Sequence, residues 1–327
     1  MKSMLRATAR QLGAHHVWRR RNGARLLICC YHGLRVDDDA AHHWLLIPER
    51  QFVAQMEYLR RYYRCLPLDE GLAQLRGAGL DGPTACVTFD DGYRSNRTLA
   101  HPILDRLGIP ATVYLATGFV NTNAVLWTTA IEHAITQSEP GQLDLRDWHL
   151  GTVSVGPNAG AAARRLVGQL KTLTADRRRE VLGMLRDRLH EPRVPQAFQF
   201  MTWEDVVWLE RTGLFSIGAH TVHHEILSRL ADSEVRAEVR QSIDEVRRRV
   251  SRPATTFAYP NGGRADFDAR AYAALADAGC DYAVTTIEGF NDPSTDSFAL
   301  RRVVIGGNDN LDTFRLRSAG VLPAARG

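Results

Sequence analysis

Seven short apolar or β-branched runs, separated by stretches of helical periodicity, constrain this chain more than any other feature. They are Leu26–Tyr31, Ala85–Phe89, Ala111–Ala116, Phe215–Gly218, Thr255–Tyr259, Tyr282–Thr286 and Leu300–Ile305. Runs of this length bounded by turn residues read as buried strands. Between them, Phe52, Met56, Leu59 and Tyr63 recur at helical spacing after Pro48, and Leu99, Ile103 and Leu107 do so before Gly108. Asp232 reads as the cap of a helix carrying Val235, Val239, Ile243, Val246 and Val250. Strands alternating with helices predict a parallel sheet, open or closed into a barrel. The stretch from about 120 to 200 breaks the rhythm. It holds a polar strand-like piece, Leu143–Val155, and two helices rich in Arg and Ala, and reads as an insertion.

Composition narrows the class. The 327 residues suit one large domain with an insertion, and 44% hydrophobic content with 24% charge excludes a disordered chain. No apolar run approaches the ~18–20 residues of a membrane span, and the first residues have no apolar signal core, so a cytoplasmic location is expected. Cys29, Cys30, Cys65, Cys86 and Cys280 form no CxxC pair and read as reduced thiols. Residues 1–36 carry Lys2, Arg6, Arg10, Arg19, Arg20, Arg21, Arg25 and Arg35 without an acid, ahead of a mildly acidic body. Lys2, Arg6 and Arg10 would line one helix face. This arm, residues 1–25, is either a solvated terminal helix or a peripheral contact with anionic membrane. An acidic body without a recognition motif argues against nucleic acid.

The chemistry-bearing residues gather where strands end, the place where parallel α/β barrels build active sites. Thr88-Phe89-Asp90-Asp91-Gly92-Tyr93 delivers two adjacent carboxylates from an apolar strand, one able to bind a cation and the other to accept a proton. His220-Thr221-Val222-His223-His224 follows another strand. Histidines at i and i+4 on one helical turn can share a metal, although 220 with 223 is also a feasible pair. Two histidines and a carboxylate leave an open position, the mark of a catalytic metal site. Phe257-Ala258-Tyr259-Pro260-Asn261-Gly262-Gly263 runs from a strand into a tight turn, and His32 ends the first strand.

TFDDGY at 88–93, HTVHH at 220–224 and the Tyr-Pro-Asn-Gly turn, in this order, resemble the polysaccharide deacetylases, the NodB-homology domains of carbohydrate esterase family four. The resemblance covers residues 26–316 around the 120–200 insertion, leaving 317–327 as a tail. It implies a distorted (β/α)7 barrel with a mainly helical insertion and a basic N-terminal arm. The implied activity is metal-dependent removal of N-acetyl groups from a glycan containing N-acetylhexosamine. By that resemblance Asp90 is the general base, and Asp91, His220 and His224 hold one divalent metal. Zinc is the default ion, with iron, cobalt or nickel able to fill the same ligands. Thr221 corresponds to a small hydroxyl residue that steadies the loop. Asn261 N–H is the oxyanion donor, because Pro260 has none, and Tyr259, Pro260 and Arg302 line the oxyanion and substrate region.

Two departures stand out. The family's orienting Arg falls at Ala258, and its Leu-x-His falls at Leu300-Arg301-Arg302. The branch that begins with a Tyr-His strand is similar to this chain and assigns the general acid to His32. Two other readings remain: an inactive carbohydrate-binding domain, and a related metal amidase acting on a small molecule.

Overall fold

The computed structural model describes residues 14–38 and 43–322. The seven runs form β1 (Leu26–Tyr31), β2 (Thr84–Phe89), β3 (Ala111–Leu115), β4 (Phe215–Ala219), β5 (Pro253–Ala258), β6 (Tyr282–Glu288) and β7 (Leu300–Val304). Each pairs in parallel with its neighbours in chain order, and β1 pairs with both β7 and β2, which closes the ring. The fold is therefore a (β/α)7 barrel, as the sequence resemblance implied. Its distortion lies in two shifted registers, between β4 and β5 and between β6 and β7. Every residue of β1, β2 and β3 is buried. Strands covered on both faces have no solvent side, which is why they read as continuous apolar runs.

Helices cover the outside. Glu49–Tyr62 starts directly after Pro48 and buries Phe52, Met56 and Leu59. The helix His101–Leu107 ends at Gly108, whose φ of +62° is the left-handed stop that glycine supplies without strain. Asp232 is the first residue of the helix Asp232–Arg249 and not its cap. Glu234 closes that end by accepting the Ala231 N–H at 3.0 Å, while Asp232 pairs with Arg270 at 3.0 Å. The five cysteines are free thiols, four of them buried.

The insertion has its own apolar core, built from residues such as Ile135, Leu166, Leu170, Val181 and Leu185. It contains three helices, Trp127–Gln137, Gly160–Thr172 and Ala175–Arg188, where the sequence indicated two. Leu143–Val155 is an antiparallel hairpin, Gly141–Asp144 with Thr152–Val155, and not one continuous strand. Arg178 ties the insertion to the barrel: it is buried, ion-paired with Glu225 and stacked over Trp127.

The described residues nearest each end pack on the barrel. Lys2, Arg6 and Arg10 lie outside the described residues, but the helix Ala14–Arg21 packs on the barrel. There Arg19 is buried, donates to the Tyr58 hydroxyl at 3.1 Å and stacks on Tyr62. At the other end the boundary after Leu316 falls inside the helix Leu311–Ser318. Arg317 is buried there, pairing with Asp309 at 2.6 Å and Glu288 at 3.1 Å. No described helix is long and apolar enough to cross a membrane.

Candidate metal centre and proton-transfer site

β2 delivers its two carboxylates to opposite tasks. The Asp90 N–H donates to Tyr31 O at 2.9 Å, continuing the ladder with β1 and holding its side chain inside the barrel mouth. Asp91 then turns with φ +73°, followed by Gly92 at +87°, and the second carboxylate swings towards β4. Gly92 is required for contact as well as for dihedral angle, since a Cβ there would lie 2.7 Å from Leu115 Cδ2.

Asp91, His220 and His224 come together. Asp91 Oδ1 stands 3.5 Å from His220 Nε2 and 3.3 Å from His224 Nε2. Ligands held about 2.0–2.1 Å from a tetrahedral ion lie about 3.3–3.4 Å from one another, so these separations fit one shared cation. Asp91 Oδ1 is buried with no hydrogen-bond partner, an orphaned charge that a cation would satisfy. His220 is oriented by its other nitrogen, Nδ1, which lies 2.7 Å from Ala258 O and leaves Nε2 facing Asp91. Asp91 and His220 are almost fully buried, whereas the His224 side chain is 12% exposed and marks the solvent side. Burial alone would raise the Asp91 carboxyl, yet the two histidines hold it well below the usual carboxylate range.

The histidines do not share a helical turn. Residues 220–224 form a loop bent by left-handed Thr221 (φ +62°) and His224 (φ +57°), which brings the first and fifth positions together. His223 points away: its Nδ1 meets Glu238 Oε1 at 2.6 Å and its side chain is 66% exposed. The Thr221 hydroxyl is buried without a partner and does not steady the loop. Glu238 performs that task, accepting the Val222 and His223 N–H groups at 2.9 Å each.

Asp90 is held quite differently. Arg302 donates Nη1 to Oδ1 at 2.7 Å and Nη2 to Oδ2 at 2.6 Å, a bidentate pair with no exposed surface on the arginine. Burial pushes the Asp90 carboxyl up, but Arg302 and His220 overcome it and hold the group below the ordinary range. Cys30, His32 and Asp90 also place potential ligand atoms within 4.8 Å of one another. Both Asp90 oxygens are already taken by a cation, so that second cluster does not fit a metal. Instead it places a His32 ring nitrogen near the Asp90 carboxylate. His32 is buried, its Nδ1 has no partner, and burial lowers its pKa against the opposing pull of Asp91 and Asp90.

The three residues expected to line the oxyanion and substrate region are all buried. Tyr259 is buried with its ring stacked on Phe267 at 4.2 Å, Pro260 is buried, and Arg302 lies inside the barrel. Asn261 is partly exposed at φ +59°, and its N–H donates to no acceptor among the described residues. Arg302 supplies what the missing arginine at Ala258 would have supplied, from a different strand. Alternation in Leu300-Arg301-Arg302-Val303 was the available signal, because one of two adjacent arginines in a barrel strand must point inward. Lys171 of the insertion carried no such signal. It is half-buried, and burial lowers its amine against the opposing charges of Asp266, Glu132 and Asp91. A cleft of about 790 Å3 lies within the insertion, between Trp127 and Leu189, and contains none of these groups.

Comparison with known proteins bears on the family and the fold. A family model described as polysaccharide deacetylase matches residues 78–283. YxkH of Bacillus subtilis (strain 168), which carries a polysaccharide deacetylase name, is 29% identical over 94 residues, or 28% of this chain. That match spans only 32% of the relative's length. Among solved structures, the Streptococcus pyogenes deacetylase PplD in complex with acetate aligns with a TM-score of 0.61 at 17% identity, covering 90% of this chain and 99% of that one. IcaB from Ammonifex degensii aligns at 0.60 and 18% identity, covering 91% and 97%. At these identities the two structures speak for the fold. The family match omits β1 with His32 and β7 with Arg302, so those residues stand on geometry alone.

Two outcomes are expected. His224→Ala should abolish stoichiometric zinc measured by elemental analysis, whereas His223→Ala should retain it; the reverse pattern would reassign the ligands. Arg302→Met leaves a buried carboxylate uncompensated, and breaking such a pair costs about 3–5 kcal/mol. Urea denaturation should show that loss, and Arg302→Lys should recover part of it without the bidentate geometry.

Proposed function

The chain belongs to the polysaccharide deacetylase family, and from that membership we propose that it is a metal-dependent hydrolase removing N-acetyl groups from a glycan containing N-acetylhexosamine. One observation carries the reading: two adjacent carboxylates, one held by Arg302 with one N–H on each oxygen and the other left bare between two histidine nitrogens. Asp91, His220 and His224 would hold the ion, with zinc the expected occupant and iron, cobalt or nickel the alternatives. When bound there, a divalent ion supplies Lewis-acid activation of water and of the acetyl carbonyl.

The chain's own groups do the rest. Asp90, kept ionised by Arg302, accepts the proton of the attacking water as oxygen bonds to the acetyl carbon. Asn261 N–H is the donor for the developing oxyanion. His32 gives its proton to the sugar nitrogen as the C–N bond breaks, leaving acetate and a free amine. A His32 ring nitrogen and an Asp90 carboxylate oxygen lie within 4.8 Å of each other, a span that one water can bridge to carry the proton from Asp90 back to His32. An inactive binding domain was favoured by the absent orienting arginine and the absent Leu-x-His; against it, Arg302 holds Asp90 from another strand, and His32 is offered in place of the missing histidine.

The location proposed is cytoplasmic, with the N-terminal region against an anionic membrane. Its support is the run of basic residues without an acid, together with Val17 and Trp18 exposed on the helix that follows. Each Lys or Arg near such a surface contributes about 1 kcal/mol. Deleting residues 1–13, which spares the buried Arg19, should weaken sedimentation with anionic liposomes at low salt. Unchanged sedimentation would remove the proposal.

For the chemistry, Asp90→Asn should keep its metal and lose ~10²–10⁴-fold in acetate release from chito-oligosaccharides. His32→Gln should lose a similar factor on amides and much less on an aryl acetate, whose leaving group needs no proton. Equal losses on both substrates would make His32 a structural residue, and near wild-type turnover by Asp90→Asn would place the base elsewhere.

A further inference from the structure

Among the described residues five large apolar side chains are exposed, and one of these borders the site. Trp18 has the Arg21 guanidinium near its ring at 5.7 Å, and Trp208 carries that of Arg97 at 4.8 Å. Val17 and Val36 offer no flat face. Trp44 is 43% exposed and lies edge-on to His32 with ring centroids 5.6 Å apart, at the rim of the barrel mouth.

Its backbone is fixed on both sides. Gly307 N–H donates to Trp44 O at 2.7 Å, Gly33 N–H to Leu45 O at 3.1 Å, and Leu46 N–H to His43 O at 3.0 Å. His43 Nε2 meets Glu132 Oε2 at 3.1 Å, which joins this loop to the insertion. The loop after β7 packs beneath it closely enough that a Cβ on Gly307 would lie 2.5 Å from Leu46 O. An indole held open to solvent on an immobilised backbone has already lost the freedom that binding would otherwise cost. Such a ring offers a broad apolar face together with an N–H donor.

We propose that Trp44 is a stacking platform for a pyranose ring of the glycan, the sugar adjoining the residue whose acetyl group is removed. This rests on the deacetylase reading above. The C–H face of a pyranose is flat and apolar while its edge is hydroxylated, which matches an indole beside imidazoles and a carboxylate. The platform sets affinity and register along the chain and takes no part in proton transfer.

The test compares Trp44→Ala and Trp44→Phe with the wild type on N-acetylated chito-oligosaccharides of increasing length. Trp208→Ala serves as the control for loss of an exposed indole elsewhere. Trp44→Ala should raise KM about tenfold on the longer oligomers with a much smaller change in kcat, and Trp44→Phe should recover part of it. Metal content should match the wild type, and the loss on a small aryl acetate should be at least several-fold less. Equal KM values at every length overturn the platform, as does an equal loss on aryl acetate. Absence of acetate release by the wild-type chain overturns the functional reading instead. In that event titration of the same oligosaccharides against indole fluorescence decides the platform: no Trp44-dependent change overturns it, and a saturable one sustains it as a sugar-binding residue.

Discussion

A guanidinium without exposed surface sits inside the barrel, and the mouth is organised around it. Arg302 Nε donates to Thr285 O at 2.7 Å, Nη1 to the Thr88 hydroxyl at 3.1 Å, and both terminal nitrogens to Asp90. Thr88 in turn donates its hydroxyl to Cys29 O at 2.9 Å. One side chain thus links β7 to β6 and β2, and through Thr88 to β1, across the seam where the ring closes. A buried ion pair is poor evidence for stability, because the desolvation of two charges offsets most of their attraction. Its consequence is chemical: Asp90 stays ionised despite complete burial and cannot turn away. Without Arg302, burial would favour the protonated carboxyl, which accepts nothing.

The neighbouring carboxylate is set by backbone geometry instead. Asp91, Thr221, His224 and Asn261 all have φ between +57° and +73°, a region that L-residues seldom adopt. Such residues cost of order 1–3 kcal/mol each and persist only where surrounding structure over-determines them. Here the determinants are identifiable. Ala116 N–H and Gly118 N–H donate to Asp91 O and Val222 O, and Glu238 fixes the two amides between the histidines. Four left-handed residues thus fall where two metal-ligand candidates and the proposed oxyanion donor lie.

Much of this was legible in the sequence, and the exceptions have physical causes. The strands were readable because burial on both faces leaves them continuously apolar, and their ends marked the site because carboxylates and histidines follow directly. The pairing of His220 with His224 was legible through the family motif, but not through helical spacing, since the segment is not helical. How the Tyr259 ring packs was not legible, because a motif tyrosine next to a turn gives no sign of it; Phe267, eight residues on, stacks against that ring. Arg302 was seen as unusual without its partner being evident, since Asp90 lies more than two hundred residues earlier. Contacts across a barrel interior depend on strand register, which no local pattern encodes.

The insertion is coupled to the metal-ligand loop and not merely appended to the surface. Arg178 binds Glu225, the residue directly after His224, and both are substantially buried. Glu132 meets His43 in the loop that carries Trp44, and Lys171 lies in the field of Asp266 and Asp91. Two insertion helices therefore each contribute a charged group paired with a different segment of the barrel rim, Glu132 with His43 and Arg178 with Glu225. A purely decorative subdomain would be held by apolar packing alone, which tolerates sliding. Ion pairs with buried partners do not, because a shift of a few ångströms strands a charge without water. The insertion's own apolar core and these polar contacts together fix its place against the loop that carries His224.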